Sequence, residues 1–110
     1  MKIQDVPFTI TNWMKMIPIE YKGEVGTSFW RTYESGNIRV RMVKYTKEFK
    51  SDHYCSKGHI LLILEGELNI KLKDGQIFQL NQGMSFQTGD DKTNPHLAYT
   101  EKGAKVFIVD

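Results

Sequence analysis

From Thr27 to the end of the chain, hydrophobic and polar residues alternate in short runs separated by glycine turns. Phe29-Trp30-Arg31-Thr32-Tyr33 leads into Glu34-Ser35-Gly36-Asn37, after which Ile38, Val40 and Met42 alternate with Arg39, Arg41 and Val43. A period of two places neighbouring side chains on opposite faces of an extended strand. On that alternation Arg39 and Arg41 are expected on a solvated face, although they could also clamp a substrate carboxylate. Glu67 to Lys73 alternates in the same way, Asp74-Gly75 supplies the positive backbone angles of a tight hairpin, and Gln76 to Leu80 forms the return strand. Further turns fall at Asn81-Gln82-Gly83, Gly89-Asp90-Asp91 and Glu101-Lys102-Gly103, and Ala104 to Val109 reads as a final strand. Helical signal is confined to Thr11–Pro18, where Asn12 can cap one or two turns through Ile17 before Pro18 stops them. Many short strands with regular turns and almost no helix predict an all-β domain, an antiparallel sandwich or barrel.

Composition narrows the class. The 110 residues, with no internal repeat, low-complexity tract or linker, suit one domain with a single core. A net charge of +2 spread over scattered lysines and arginines forms no basic stripe, so neither nucleic acid nor an anionic membrane is expected as a partner. The longest aliphatic run, Ile60 to Leu64, is far too short to span a bilayer. The start, Met1-Lys2-Ile3-Gln4-Asp5-Val6-Pro7, lacks the charged and apolar regions of a secretory signal, and one cysteine cannot form an intrachain disulfide. Both features predict a cytoplasmic protein with Cys55 as a thiol or thiolate.

The chemistry-bearing residues are grouped. All three histidines and the single cysteine fall into His53-x-Cys55-x3-His59 followed by His96. Imidazole and thiolate are ligands for zinc and other borderline or soft ions. In an extended strand, positions i and i+2 share a face, so His53 and Cys55 can converge on one ion. Ser56-Lys57-Gly58 then breaks the chain before His59. Singly, each residue reads as an ordinary core or surface side chain, and a lone cysteine is most often a small buried hydrophobe. Their grouping favours a metal site, and it also disfavours an immunoglobulin-like sandwich, which gives the cluster no role. A third reading makes Cys55 a nucleophile assisted by His53, but leaves His59 and His96 unexplained.

Residues 53–66 resemble the cupin motif H-x-H-x3-E-x6-G: His53 and Gly66 match, Cys55 stands at the second histidine and His59 at the glutamate. The second cupin motif, G-x5-P-x-G-x2-H-x3-N, is matched more loosely by Gly83 and His96. Gly89 and Asp91 replace its proline and glycine, two extra residues precede His96, and Thr100 replaces the asparagine. Leu64-Glu65-Gly66-Glu67-Leu68 has the usual character of the segment between the motifs. The resemblance covers roughly residues 36–109. More narrowly, Asp52-His53-Tyr54-Cys55 followed by Lys57-Gly58-His59-Ile60 resembles the small bacterial DHCW-motif cupins, with tyrosine in place of the tryptophan and ahead of the cysteine.

The resemblance implies a single cupin domain over 1–110, a double-stranded β-helix or jelly roll, with 1–35 as an N-terminal segment and 36–110 as the barrel core. Carried over position by position, it nominates His53, Cys55, His59 and His96 as ligands of a divalent metal inside the barrel. Thiolate and imidazole in place of imidazole and carboxylate soften the site, favouring Zn or Fe, with Ni or Cu as alternatives. Four bound side chains would close a tetrahedral zinc site, whereas a loose ligand or octahedral Fe(II) would leave room for substrate. The expected activity is metal-dependent oxygenase, isomerase or lyase chemistry on a small polar metabolite; the alternative is a binding module without turnover. Tyr45, Phe49, Tyr54, Phe86 and Tyr99 are candidates for pocket lining or core, and strand parity points Asp52 away from His53. A homodimer is expected, because Trp13, Met14, Met16, Phe29 and Trp30 look too apolar to leave on the surface of a small barrel.

Overall fold

Eight strands follow one short 3-10 turn at Trp13–Lys15 in the computed structural model, which describes residues 2–110. They are β1 (Ile19–Lys22), β2 (Thr27–Ser35), β3 (Ile38–Tyr45), β4 (His59–Leu72), β5 (Ile77–Asn81), β6 (Ser85–Thr88), β7 (His96–Tyr99) and β8 (Ala104–Val109). Every pairing is antiparallel. One sheet runs β1-β2-β3-β8-β4, with β6 on the far side of the first half of β4; the second half of β4 pairs instead with β5 and β7. The long β4 therefore belongs to both sheets, and its register shifts between Ile63 and Glu65. No helix among the described residues is long and apolar enough to cross a membrane.

The transition within β4 depends on Gly66, whose φ of +78° is costly for any side chain and whose missing Cβ would collide with the Gly103 carbonyl oxygen. Gly66→Ala is expected to destabilise the protein by roughly 3 kcal/mol or more, combining left-handed backbone strain with displacement of a packed strand. A denaturant midpoint unchanged from wild type would contradict this account.

The β4–β5 connection differs from the tight two-residue hairpin that Asp74-Gly75 suggests. Leu72 N–H donates to the Gln76 carbonyl and Gly75 N–H to the Leu72 carbonyl, leaving three residues in the loop with only Gly75 at positive φ. Asp74 stays at negative φ and accepts from the Gln76 backbone N–H. Between the sheets, Val43, Ile63, Leu68 and Val106 are fully buried, each contributing roughly 1.5–3 kcal/mol of apolar burial.

The N-terminal segment lies along the first sheet. Asn37 links it through bonds to Gln4 N–H and the Lys2 carbonyl, the Tyr33 hydroxyl donates to Thr9 Oγ1, and Arg31 Nε donates to the Met16 carbonyl. The helical signal at Thr11–Pro18 yields only the turn at Trp13–Lys15, with Asn12 accepting from Met14 N–H. Tertiary packing limits it: Trp13 meets Phe107 of β8 edge-on, at 6.2 Å between ring centres.

That cover on the outer face explains an inversion in β3. The expectation that its arginines face solvent is overturned, because Arg41 shares the inner face with Val43 and Tyr45 and is 5% exposed. Val40 and Met42 are half-buried on the opposite face. An alternating strand has an unambiguous solvated face only when one face is open.

Candidate metal centre

Three of the four nominated donors converge. One ligand atom each from Cys55, His59 and His96 lie within 4.8 Å of one another. Each arrives by a different backbone route. His59 opens β4 and His96 opens β7, while Cys55 lies in the connection from β3 to β4. Cys55 is held there by a two-bond bridge to His96, with N–H to carbonyl distances of 2.7 and 2.9 Å.

His53 is not part of this group. The chain bends at Asp52-His53, where Ser51 Oγ bonds to the His53 carbonyl at 3.0 Å, so the parity of an extended strand does not carry His53 to the face of Cys55. Its ring, 73% exposed, pairs through Nδ1 with Asp52 Oδ1 at 2.7 Å. Asp52 thus faces His53, contrary to the orientation its strand parity suggests. The hydrogen bond from His53 holds the Asp52 carboxyl below its usual range.

The two convergent histidines face each other at 2.8 Å between their Nε2 atoms. Such a contact needs one N–H and one lone pair, so both rings cannot be protonated at these atoms. Burial lowers the pKa of both, and the neighbouring His59 helps to bring His96 down to about 4. His59 Nδ1 approaches Asp110 Oδ2 at 3.4 Å. With its proton on Nδ1, His59 offers an Nε2 lone pair, the orientation that carboxylate–histidine pairs give to metal ligands. Phe86 packs edge-on against both rings, with centroids 6.0 and 5.5 Å away.

Because burial penalises the charged imidazole of His96, its neutral form stabilises the fold above an unfolded-state pKa of 6.5, and that contribution declines as pH falls toward about 4. The metal-free protein is expected to lose roughly 2–3 kcal/mol across this window, with His59 acting in the same direction. Urea midpoints in a chelating buffer that stay flat from pH 7 to 4.5 would refute this.

Asp110 organises the neighbouring wall. Its carboxylate receives Arg39 through Nε at 3.1 Å and Nη2 at 2.8 Å, and Arg41 through Nη2 at 3.0 Å. Burial pushes the Asp110 pKa up, but the hydrogen bond from Arg39 and the charges of Arg41, Arg39 and His59 bring it below its ordinary value. Strand register, invisible in the local sequence, creates this cluster: Arg39 and Asp110 exchange backbone hydrogen bonds, and Arg41 sits opposite Ile108. Arg39, Arg41, Ile108 and the three donors border a cavity of about 420 Å³, with Asp110 behind this wall. Of the candidate aromatics, Tyr45, Phe49 and Tyr54 line this cavity, whereas Tyr99 lines a separate depression. Burial raises the Tyr45 pKa to about 12, which keeps its phenol protonated.

The donor set suits a metal. Two neutral imidazoles and a thiol are borderline-to-soft ligands, and three protein ligands leave a tetrahedral ion one further position. An antiparallel two-sheet barrel with ligand-type side chains on its inner wall is the architecture of small-molecule and metal-binding jelly rolls.

Solved structures share this architecture. An RmlC-like cupin from Shewanella frigidimarina superposes with a TM-score of 0.74 at 15% identity, over 96% of this chain and 92% of that one. A cupin-superfamily sugar phosphate isomerase from Silicibacter pomeroyi gives 0.63 at 16% identity, over 84% and 67% of the two chains. Fe(II)-HppE with the alternative substrate (S)-1-HPP gives 0.71 at 18% identity, over 94% of this chain but 60% of that one. No protein-family model and no curated protein matches the sequence. The chain has the cupin fold.

Proposed function

We propose that this cupin binds one divalent transition metal through Cys55, His59 and His96 and acts on a small polar metabolite in the adjoining cavity. The chemistry is of the oxygenase, isomerase or lyase type, with zinc or iron favoured over nickel or copper. The convergence of these donors on the cavity wall supports the reading most directly. A bound divalent ion would supply Lewis acidity or, as iron, oxygen activation. The chain's own contribution is to position the donors, keep both imidazoles neutral, and surround the ligand with aromatic and cationic side chains.

A binding module without turnover is the second reading, favoured by one observation. Beside the three donors, the titratable side chains lining the cavity are Arg39, Arg41, Tyr45, Tyr54, Lys57 and the Asp52-paired His53, so the cavity wall offers no carboxylate as a general base among the described residues. Metal analysis of the purified protein, before and after loading under anaerobic conditions, tests the common core of both readings. About one equivalent of zinc or iron is expected. Failure to retain any transition metal after loading would overturn the proposal, while metal binding without turnover on any small substrate would favour the binding module.

The homodimer is also a proposal. Trp13, Met16, Phe29 and Trp30 are partly buried within their own chain, leaving Met14 exposed as expected. Phe8, Ile10, Ile17 and Ile19 are exposed in the same segment and carry the argument instead. Sedimentation equilibrium at micromolar concentration is expected to give twice the mass of the chain; a monomer would remove the idea.

A further inference from the structure

The arginine pair beside the metal donors carries more positive charge than its carboxylate answers. Asp110 engages Arg39 through two hydrogen bonds and Arg41 through one, so one side-chain carboxylate serves two guanidiniums. Arg41 is the surplus. Its side chain is 6% exposed, one of its five N–H donors is accounted for by Asp110, and its Nε is the buried side-chain polar atom without a partner among the described residues. A buried guanidinium with spare donors is costly unless something else meets them.

We infer that Arg41 is the anion-binding subsite of the cavity and that the ligand is a small carboxylate with an apolar body. The inference rests on the metal-site reading only for what meets the ligand's other end. Three observations converge on it. The Arg41 guanidinium carbon lies over the Trp30 ring, 4.6 Å from its centre, a contact that restrains the group while its spare N–H donors suit a planar, two-oxygen acceptor. Lys57 and Arg39 also line the cavity, so its field favours an anion. Trp30, Phe49, Ala98 and Ile108 give the wall an apolar patch among its serines and tyrosines, and a space of about 420 Å³ falls in the range of small-molecule sites. Asp110 Oδ2 contacts both Arg41 and His59, so the guanidinium and the metal donors adjoin, and one small molecule can reach both.

Calorimetric titration of the purified protein with carboxylates from propanoate to 3-phenylpropanoate, each paired with its neutral amide, tests the inference. At least one acid is expected to bind tenfold or more tightly than its amide, and 3-phenylpropanoate more tightly than propanoate. In Arg41→Met the acid-to-amide ratio should fall to near one; because the wild-type comparison needs no variant, a failure of Arg41→Met to fold would leave the test intact. Running zinc-loaded and chelator-stripped protein separates the two claims. A protein that holds no metal but still prefers acids would refute the metal reading alone, and one that holds metal but shows no acid preference across the series would refute the carboxylate subsite alone. Tighter binding of phenyl phosphate than of 3-phenylpropanoate would overturn the planar-carboxylate assignment.

Discussion

Cys55→Ser is expected to lower zinc affinity by at least about 100-fold, while Cys55→His lowers it by less than about tenfold. Loss of groups that merely orient a ligand typically costs 10–100-fold, so loss of a direct donor should cost at least as much. The cysteine sulfur is the soft anionic donor of the set, whereas a serine alcohol is a poor ligand at neutral pH. Histidine restores a nitrogen donor where the cupin motif has one. Because Cys55 is held by two backbone bonds to His96, both substitutions leave its backbone anchored, and the comparison reports on the side chain. Competition titration with a chromophoric chelator would measure the affinities. Equal zinc binding by wild type and Cys55→Ser would show that the sulfur is a spectator, and the site would then rest on two histidines alone.

Asp110→Ala is expected to destabilise the protein by roughly 3–5 kcal/mol, the range found when one partner of a buried ion pair is removed. Arg41 cannot escape to solvent, since it is 5% exposed and lies against Trp30. Removing Asp110 would leave it charged and unanswered, and burial already lowers its pKa. Arg39, half-exposed, should suffer less. Adding Arg41→Met to Asp110→Ala should recover much of the loss, because the uncompensated charge disappears along with its partner. Urea unfolding of the single and double variants checks both points. Additive losses would mean that the two residues act independently and that the carboxylate does not hold the guanidinium in place.

Much of the strand layout was legible along the chain. Strands alternate where Ile38–Tyr45 and Glu67–Leu72 alternate, and turns with glycines at positive φ fall at Gly36, Gly75, Gly83 and Gly103. These signals are local, because backbone sterics and side-chain period act within a few residues. The grouping of histidine and cysteine around residues 53–59 likewise marked the region of the site, and Cys55, His59 and His96 do meet. The fate of His53 could not be read so directly. It depended on whether residues 51–55 stay extended, and that is decided by the bridge of Cys55 to His96 and the bend at Asp52-His53, which pull neighbouring residues apart.

The Arg39–Arg41–Asp110 cluster shows the same division. Composition, turn positions, strand periodicity and the nature of the donors follow from residue chemistry and short-range sterics. Which face of β3 looks inward does not, because alternation is symmetric until another element covers one side. The N-terminal segment covers the outer face through Trp13 on Phe107, and β8 brings Asp110 beside Arg39 from 71 residues away along the chain. Contacts of that sequence separation arise from the packing of whole elements. They alone turn two arginines with an ordinary surface pattern into the charged wall of a cavity.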